Sequence, residues 1–463
     1  MRVRRGMHRL SREDMGHRTL AQRLAARRGL RHLLLTPAAM LLGTCVYGQE
    51  IYNLPSNTYA SPVVQPLPAT PVATIRPAQG QLRNPAAIAS FLVKLPFATG
   101  SVPPLSIVQI GDSHTAGDML TNGWRQRWQA EYGAGGRGAQ AVGRPYPGYL
   151  SWGVTARQSP DWSVNALFGR QRTGDTPLLG MTGFTQTAQH AGASLSLSAD
   201  SVAFQFDHFS LCGLTGPDKG VVHVAMSGTE RDWSFAAATP GAACFDLTTP
   251  LPVPSVSLTT VDDRPVSLTS WESRHQAGGI TLANLGVVGA RLLHFTRNDD
   301  KVLGVELRHA HPDLVVIAFG TNEGFDPGLK LDEAETTMRS QIARIRSLLG
   351  RNVPILLLGP PDAASTRPDV ALPGMSDTAT CSNGWMVPGN LARIKAMQIR
   401  LAQEMNLAFW DWQGAMGGRC TTMGWVEQGL QRGDHVHFTA EGGKRLGEAL
   451  AADLDRARLD LAK

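Results

Sequence analysis

Leu105-Ser-Ile-Val-Gln-Ile-Gly-Asp-Ser-His-Thr-Ala-Gly117 decides the fold class. The apolar run up to Ile110 is bounded by Pro104 and Gly111, the length and composition of a strand buried on both faces of a parallel sheet. From Met119 to Tyr132 apolar residues recur at helical spacing, so the segment reads as strand, turn and helix. The alternation returns late in the chain. Leu314-Val-Val-Ile-Ala-Phe319 precedes a helix near Leu331 to Leu349, and Val353-Pro-Ile-Leu-Leu-Leu358 precedes one near Leu391 to Met405. Leu407-Ala-Phe-Trp410 then leads to a final helix from about Ala440. Strands alternating with helices predict an α/β domain, a parallel sheet covered by helices on both faces.

Residues 150–278 have a different texture. Val202-Ala-Phe-Gln-Phe206, Gly220-Val-Val-His-Val-Ala-Met226 and Ser255-Val-Ser-Leu-Thr-Thr-Val261 alternate with turn residues, and no helical period intervenes. This predicts a β-sandwich inserted into the α/β domain. Trp152, Trp162, Trp233 and Trp271 lie in or beside it; an exposed indole there would stack on a sugar ring, a buried one would serve the core.

The 463 residues allow two or three domains. With 42% apolar and 18% charged residues the chain is neither collagen-like nor coiled coil nor wholly disordered. No stretch reaches the ~18 consecutive apolar residues of a membrane-spanning helix, so no stable span is expected. The net charge of +6 invites a nucleic-acid reading, but residues 1–48 carry ten Arg against only Glu13 and Asp14, leaving the remainder slightly acidic. A phosphate-binding surface needs its charge on the folded body, so no nucleic-acid partner is expected. The Arg-rich start followed by His32-Leu-Leu-Leu-Thr-Pro-Ala-Ala-Met-Leu-Leu-Gly-Thr-Cys-Val-Tyr-Gly48 has the layout of a signal peptide. Residues 1–48 therefore read as a leader and the location as periplasmic or secreted, with lipid attachment at Cys45 as an alternative. Residues 49–86, with Pro55, Pro62, Pro66, Pro68, Pro71, Pro77 and Pro85, read as an extended linker. Cys212, Cys244, Cys381 and Cys420 remain, an even number that suits export. Their places suggest Cys212 with Cys244 and Cys381 with Cys420; the other pairings and four free thiols stay open.

Ser113 stands where the first strand meets the first helix, the edge at which open α/β sheets place their ligands. Helix-start amides there favour negative charge, although Ser is also an ordinary N-cap. A serine nucleophile needs a base, and the base needs a carboxylate to fix its tautomer. Asp434 and His437, three apart before the last helix, fit those roles, whereas His435 would point elsewhere. An acyl-transfer oxyanion needs fixed donors. Asn284-Leu-Gly-Val-Val-Gly-Ala290 and Gly320-Thr-Asn322 follow two further strands and could supply them. Gly133-Ala-Gly-Gly-Arg-Gly138 meets a dinucleotide-binding pattern but follows a helix, so its context excludes that role. Asp112, His114, Asp118, His435 and His437 would be the ligands of a metal site, but no helical H-E-x-x-H and no C-x-x-C accompany them.

Ser113, Gly289, Asn322 and Asp434 with His437, in that order, resemble the SGNH or GDSL hydrolase superfamily. Gly111-Asp-Ser-His114 matches its nucleophile block, Gly289 its glycine block, Gly320-Thr-Asn322 its asparagine block and Asp434-His-Val-His437 its final block. The resemblance implies an SGNH-type three-layer α/β/α domain over 87–149 and 279–463, with 150–278 as a β-sandwich of carbohydrate-binding type. It is similar in this to periplasmic peptidoglycan O-acetylesterases. It further implies a triad of Ser113, His437 and Asp434, an oxyanion hole from the Ser113 and Gly289 amides and the Asn322 side chain, and no metal or cofactor. The name-giving Leu after Ser is His114 here, and the Ser that commonly precedes the glycine is absent. An acetylated polysaccharide, peptidoglycan foremost, is the implied substrate. Acetyl transfer or deacetylation on an exopolysaccharide such as cellulose, and glycan binding without catalysis, are the alternatives. The insert's place between two catalytic blocks predicts that both its ends leave from the catalytic edge.

Overall fold

Along the Leu105–Gly111 strand successive side chains enter two different cores, which is why the run is apolar without a gap. Ile107 faces Trp124, Trp128 and Leu450 on one side of the sheet, and Val108 faces Leu303, Ile342 and Ile394 on the other. The computed structural model describes residues 74–367, 380–461 and 463. The leader over 1–48, Cys45 and most of the linker over 49–86 therefore lie outside the described residues.

Six strands form the central sheet in the spatial order Leu82–Arg83, Ala408–Trp410, Ile355–Leu358, Leu314–Ala318, Leu105–Gly111, Ile280–Gly286. All pair in parallel except the short Leu82–Arg83 edge. Apart from that edge, the chain adds one strand to one side of Leu105–Gly111 and then three to the other. Loops from Leu105–Gly111 and Leu314–Ala318 consequently diverge at their C-terminal ends and leave a crevice between them. Helices Met119–Tyr132 and Ala440–Leu461 cover one face, and Asp300–Ala310, Leu331–Leu349 and Gly389–Glu404 the other. Among the described residues no helix is long and apolar enough to cross a membrane.

The intervening residues form two antiparallel sheets around a core that includes Leu197, Val224, Phe209, Leu211 and Trp271. Cys212 and Cys244 lie opposite each other on paired strands and are disulfide-bonded, as are Cys381 and Cys420. Buried Glu306, on the Asp300–Ala310 helix, accepts from the Met181 amide and the Ser270 hydroxyl, both at 2.5 Å, and so ties the sheets to the α/β layer.

Four expectations are corrected. The linker does not extend to 86: Gly80 and Gln81 donate their amides to Asp453 at 2.7 and 2.9 Å, and Leu82–Arg83 joins the central sheet, so their backbone donors are satisfied by the body. Gly136–Gln140, ahead of the boundary at 150, pairs with Val266–Arg274 of the sandwich. Val202–Phe204 is a surface 3-10 turn and the strand begins at Phe206. Last, the insert does not leave from the catalytic edge. The Met119–Tyr132 helix returns the chain to the opposite edge before the sandwich begins. The insert's last strand also feeds Ile280, the register partner of Leu105 at the start of the sheet.

Candidate active site

Asp112 caps the Ser113–Ala116 turn by accepting from the His114 amide at 2.9 Å, which sets Ser113 at the first helical position, over the crevice. His437 Nε2 lies 2.9 Å from Ser113 Oγ, and its Nδ1 lies 2.8 Å from Asp434 Oδ2. The other Asp434 oxygen accepts from the Val436 and His437 amides, both at 2.9 Å, so one tight turn orients carboxylate and imidazole together. Partial burial works against the Asp434 charge, but these amides and the imidazole outweigh it and hold its pKa below the ordinary value. Nδ1–H therefore faces an ionised acceptor, which leaves Nε2 free to take a proton from the serine.

Gly286 and Gly289 supply the third segment. A Cβ on Gly286 would lie 2.0 Å from the Ala116 amide nitrogen, so only glycine lets this strand end approach the serine turn. Gly289 has φ +76°, and a Cβ there would meet the Phe168 ring at 2.8 Å. Phe168 belongs to the insert, so the insert touches the glycine loop directly. Asn322 donates from Nδ2 to the Ala290 carbonyl at 2.9 Å and keeps a second N–H, because a primary amide has two.

The next residue, Glu323, accepts from the Leu292 amide at 2.8 Å. Asn322 and Glu323 thus grip the glycine loop at two places. Sequence reasoning missed Glu323, because neither its burial nor its partner is local. Burial pushes its carboxyl pKa up to about 7 against the pull of the Leu292 amide; the Asp112 charge raises it further and Arg291 opposes. A carboxyl raised from the ordinary 4.5 binds more protons folded than unfolded. The fold is then most stabilised by it at acid pH and loses stability as pH rises from about 5 through 7. At 1.36 kcal/mol per unit the loss is about 3 kcal/mol. Glu323→Gln should be expected to gain on the wild type by about that amount between pH 5 and pH 8 in paired denaturant titrations. A difference that stays constant with pH would contradict the assignment.

His114 also escaped the sequence, where it read only as a flanking residue or metal ligand. Its Nε2 donates to the Val436 carbonyl at 3.0 Å and its ring stacks on His437 with centroids 5.4 Å apart, so it couples the serine turn to the Asp434–His437 turn. Burial alone would lower its pKa, but the Asp112 hydrogen bond and charge, with the Val436 carbonyl, raise it above the ordinary value. Asp118 is held by Arg125 and Arg137, and the His435 ring lies 3.8 Å from that of Trp385, so neither joins Ser113. Among the described residues no group of three or more His, Cys, Asp or Glu is arranged to hold a metal ion. Ser113 and His437 open onto a hollow of about 280 Å³, lined also by Tyr146, Leu150, Val288 and Trp412. Such a constellation can activate a hydroxyl against an ester carbonyl.

Residues 257–445 match the GDSL-like lipase/acylhydrolase family. That stretch begins in the last part of the insert and takes in Gly289, Asn322, Asp434 and His437; the serine segment lies ahead of it. A solved peptidoglycan O-acetylesterase is similar at 27% identity and a TM-score of 0.67, over 82% of this chain and 100% of its own. A family two carbohydrate esterase from Clostridium thermocellum, in complex with cellohexaose, matches remotely at 12% identity and a TM-score of 0.24, over 59% of this chain and 94% of its own. No curated protein sequence matches. With a GDSL-like domain matched over 257–445, and its three-layer fold shared over the full length of a solved relative, the chain is an esterase that resembles peptidoglycan O-acetylesterases.

Proposed function

We propose that this esterase removes O-acetyl groups from a cell-wall or extracellular polysaccharide, peptidoglycan foremost, in the periplasm or outside the cell. The observation that carries the reading is the Asp434–His437–Ser113 relay, at 2.8 and 2.9 Å, in a chain matched over the whole length of a peptidoglycan O-acetylesterase. Ser113 Oγ attacks the acetyl carbonyl carbon while His437 Nε2 takes the hydroxyl proton. The carbonyl oxygen, now negative, is met by the Ser113 and Gly289 amides and the Asn322 N–H. Collapse breaks the ester bond, and His437 returns the proton to the departing sugar oxygen, leaving acetyl on Ser113. Water, deprotonated by the same His437, then releases acetate and restores the serine. No metal or cofactor enters this scheme. Export is supported by the Arg-rich, then apolar, start of the sequence and by two disulfides, which persist in oxidising compartments. The sandwich is assigned to holding the glycan.

The test is incubation of purified protein with O-acetylated peptidoglycan and, separately, with acetylated glucan, following free acetate and acetyl moved to added glycan. Acetate released faster from peptidoglycan is the expected result. Acetyl transfer without acetate release would make the protein a transferase, and neither activity would leave it a glycan-binding protein.

A further inference from the structure

Of the four tryptophans in or beside the insert, Trp162, Trp233 and Trp271 are 7%, 6% and 1% exposed, whereas Trp152 is 40% exposed. Three are core residues, and one is presented to solvent. Trp152 lines a second hollow of about 300 Å³ with Arg144, Thr155 and Asp200. Leu150 lines both this hollow and the one that holds Ser113, so the two adjoin at that residue.

An exposed indole is ordinarily free to turn aside, but this one stands on a fixed backbone. The Trp152 carbonyl accepts from Arg137 Nε at 3.1 Å. Arg137 is itself buried and pairs with Asp118 at 3.0 Å, five residues after Ser113. Ser151 donates to Gln140 at 2.7 Å, and a Cβ on Gly153 would strike the Phe204 ring at 2.6 Å, which holds the segment from both sides. The chain thus reaches back from the sandwich to the catalytic edge at 144–153, although both attachments of the insert lie at the opposite edge. Arg144 and Asp200 flank the indole with hydrogen-bonding groups of both signs, and Asp200 is steadied by the Thr155 hydroxyl at 2.7 Å. A flat apolar ring face bordered by donors and acceptors suits a pyranose, whose axial C–H face is apolar and whose rim is hydroxyl.

We infer that Trp152, with Arg144 and Asp200, is a saccharide subsite that holds a sugar of the same glycan strand whose acetylated unit lies at Ser113. The inference rests on the proposed glycan substrate and assigns where the strand runs. Binding energy gained at this distance positions a polymer without acting on the reacting ester, so catalytic efficiency rises with chain length.

The test compares wild type, Trp152→Ala and Trp152→Phe on O-acetylated peptidoglycan strands and on the acetylated disaccharide cut from them. Calorimetric binding of deacetylated strands by the same proteins is measured alongside. The ratio of kcat/KM for strands over disaccharide should fall by about tenfold in Trp152→Ala, through KM, and recover in part in Trp152→Phe, which keeps an aromatic face. Strand binding should weaken by a similar factor. An unchanged ratio, or an equal loss on both substrates, would overturn the subsite. If the wild type releases no acetate yet binds strands and Trp152→Ala does not, the proposed activity fails while the subsite stands.

Discussion

Ser113→Ala is expected to lower kcat on an acetyl ester by roughly 10⁴ to 10⁶-fold, about 5 to 8 kcal/mol of transition-state stabilisation, with folding intact. The hydroxyl oxygen is the only heavy atom lost, and the hydrogen bond given up is the one to His437 Nε2. The change in stability should therefore stay within about 0.5 kcal/mol, the range of substitutions outside a core. His437→Ala should cost nearly as much, and the double variant hardly more, because hydroxyl and imidazole act as one unit. The check is kcat by acetate release beside a thermal melt of each variant. Full activity in Ser113→Ala would remove the serine from the chemistry, and loss accompanied by unfolding would show a packing role.

Asn322→Ala is expected to lower kcat by roughly 10² to 10³-fold, or ~2.7 to 4 kcal/mol, while KM changes little. The split follows from when the interaction forms. One Asn322 N–H is engaged with the Ala290 carbonyl in the resting protein, and the other is available to an oxygen that gains charge only during the reaction. A loss confined to KM would instead assign Asn322 to ground-state binding, and an unchanged kcat would remove it from the site.

Much of this was legible in the sequence because its determinants are local. A strand buried on both faces reads as an unbroken apolar run, so Leu105–Gly111 and Leu314–Ala318 were recognisable, and the turns after them had to share an edge. The spacing of Asp434 and His437 suited one turn. His435, beside Asp434, has φ +54° and turns its ring to Trp385. What sequence could not give depends on distant partners. Gly136–Gln140 has two glycines, an Arg and a Gln, no signature of a strand, and is one because Val266–Arg274 offers it a ladder. Val202–Phe206 imitates a strand pattern, yet Val202 lies on the surface and the backbone turns. His114 matters through a carbonyl 322 residues away, and Glu323 through the Leu292 amide. Exposure separates Trp152 from the other three tryptophans, and exposure is a property of the packed molecule.

The proposed reaction passes through a covalent acetyl-enzyme on Ser113 formed from a glycan ester. Its most direct test is to quench the enzyme with acid during turnover of O-acetylated peptidoglycan, digest it, and locate acetyl groups by mass spectrometry, with an untreated control. One acetyl group is expected on the peptide that contains Ser113, absent from Ser113→Ala and cleared once substrate is exhausted. Rapid acetate release with Ser113 unmodified at every quench time, and undiminished in Ser113→Ala, would contradict it.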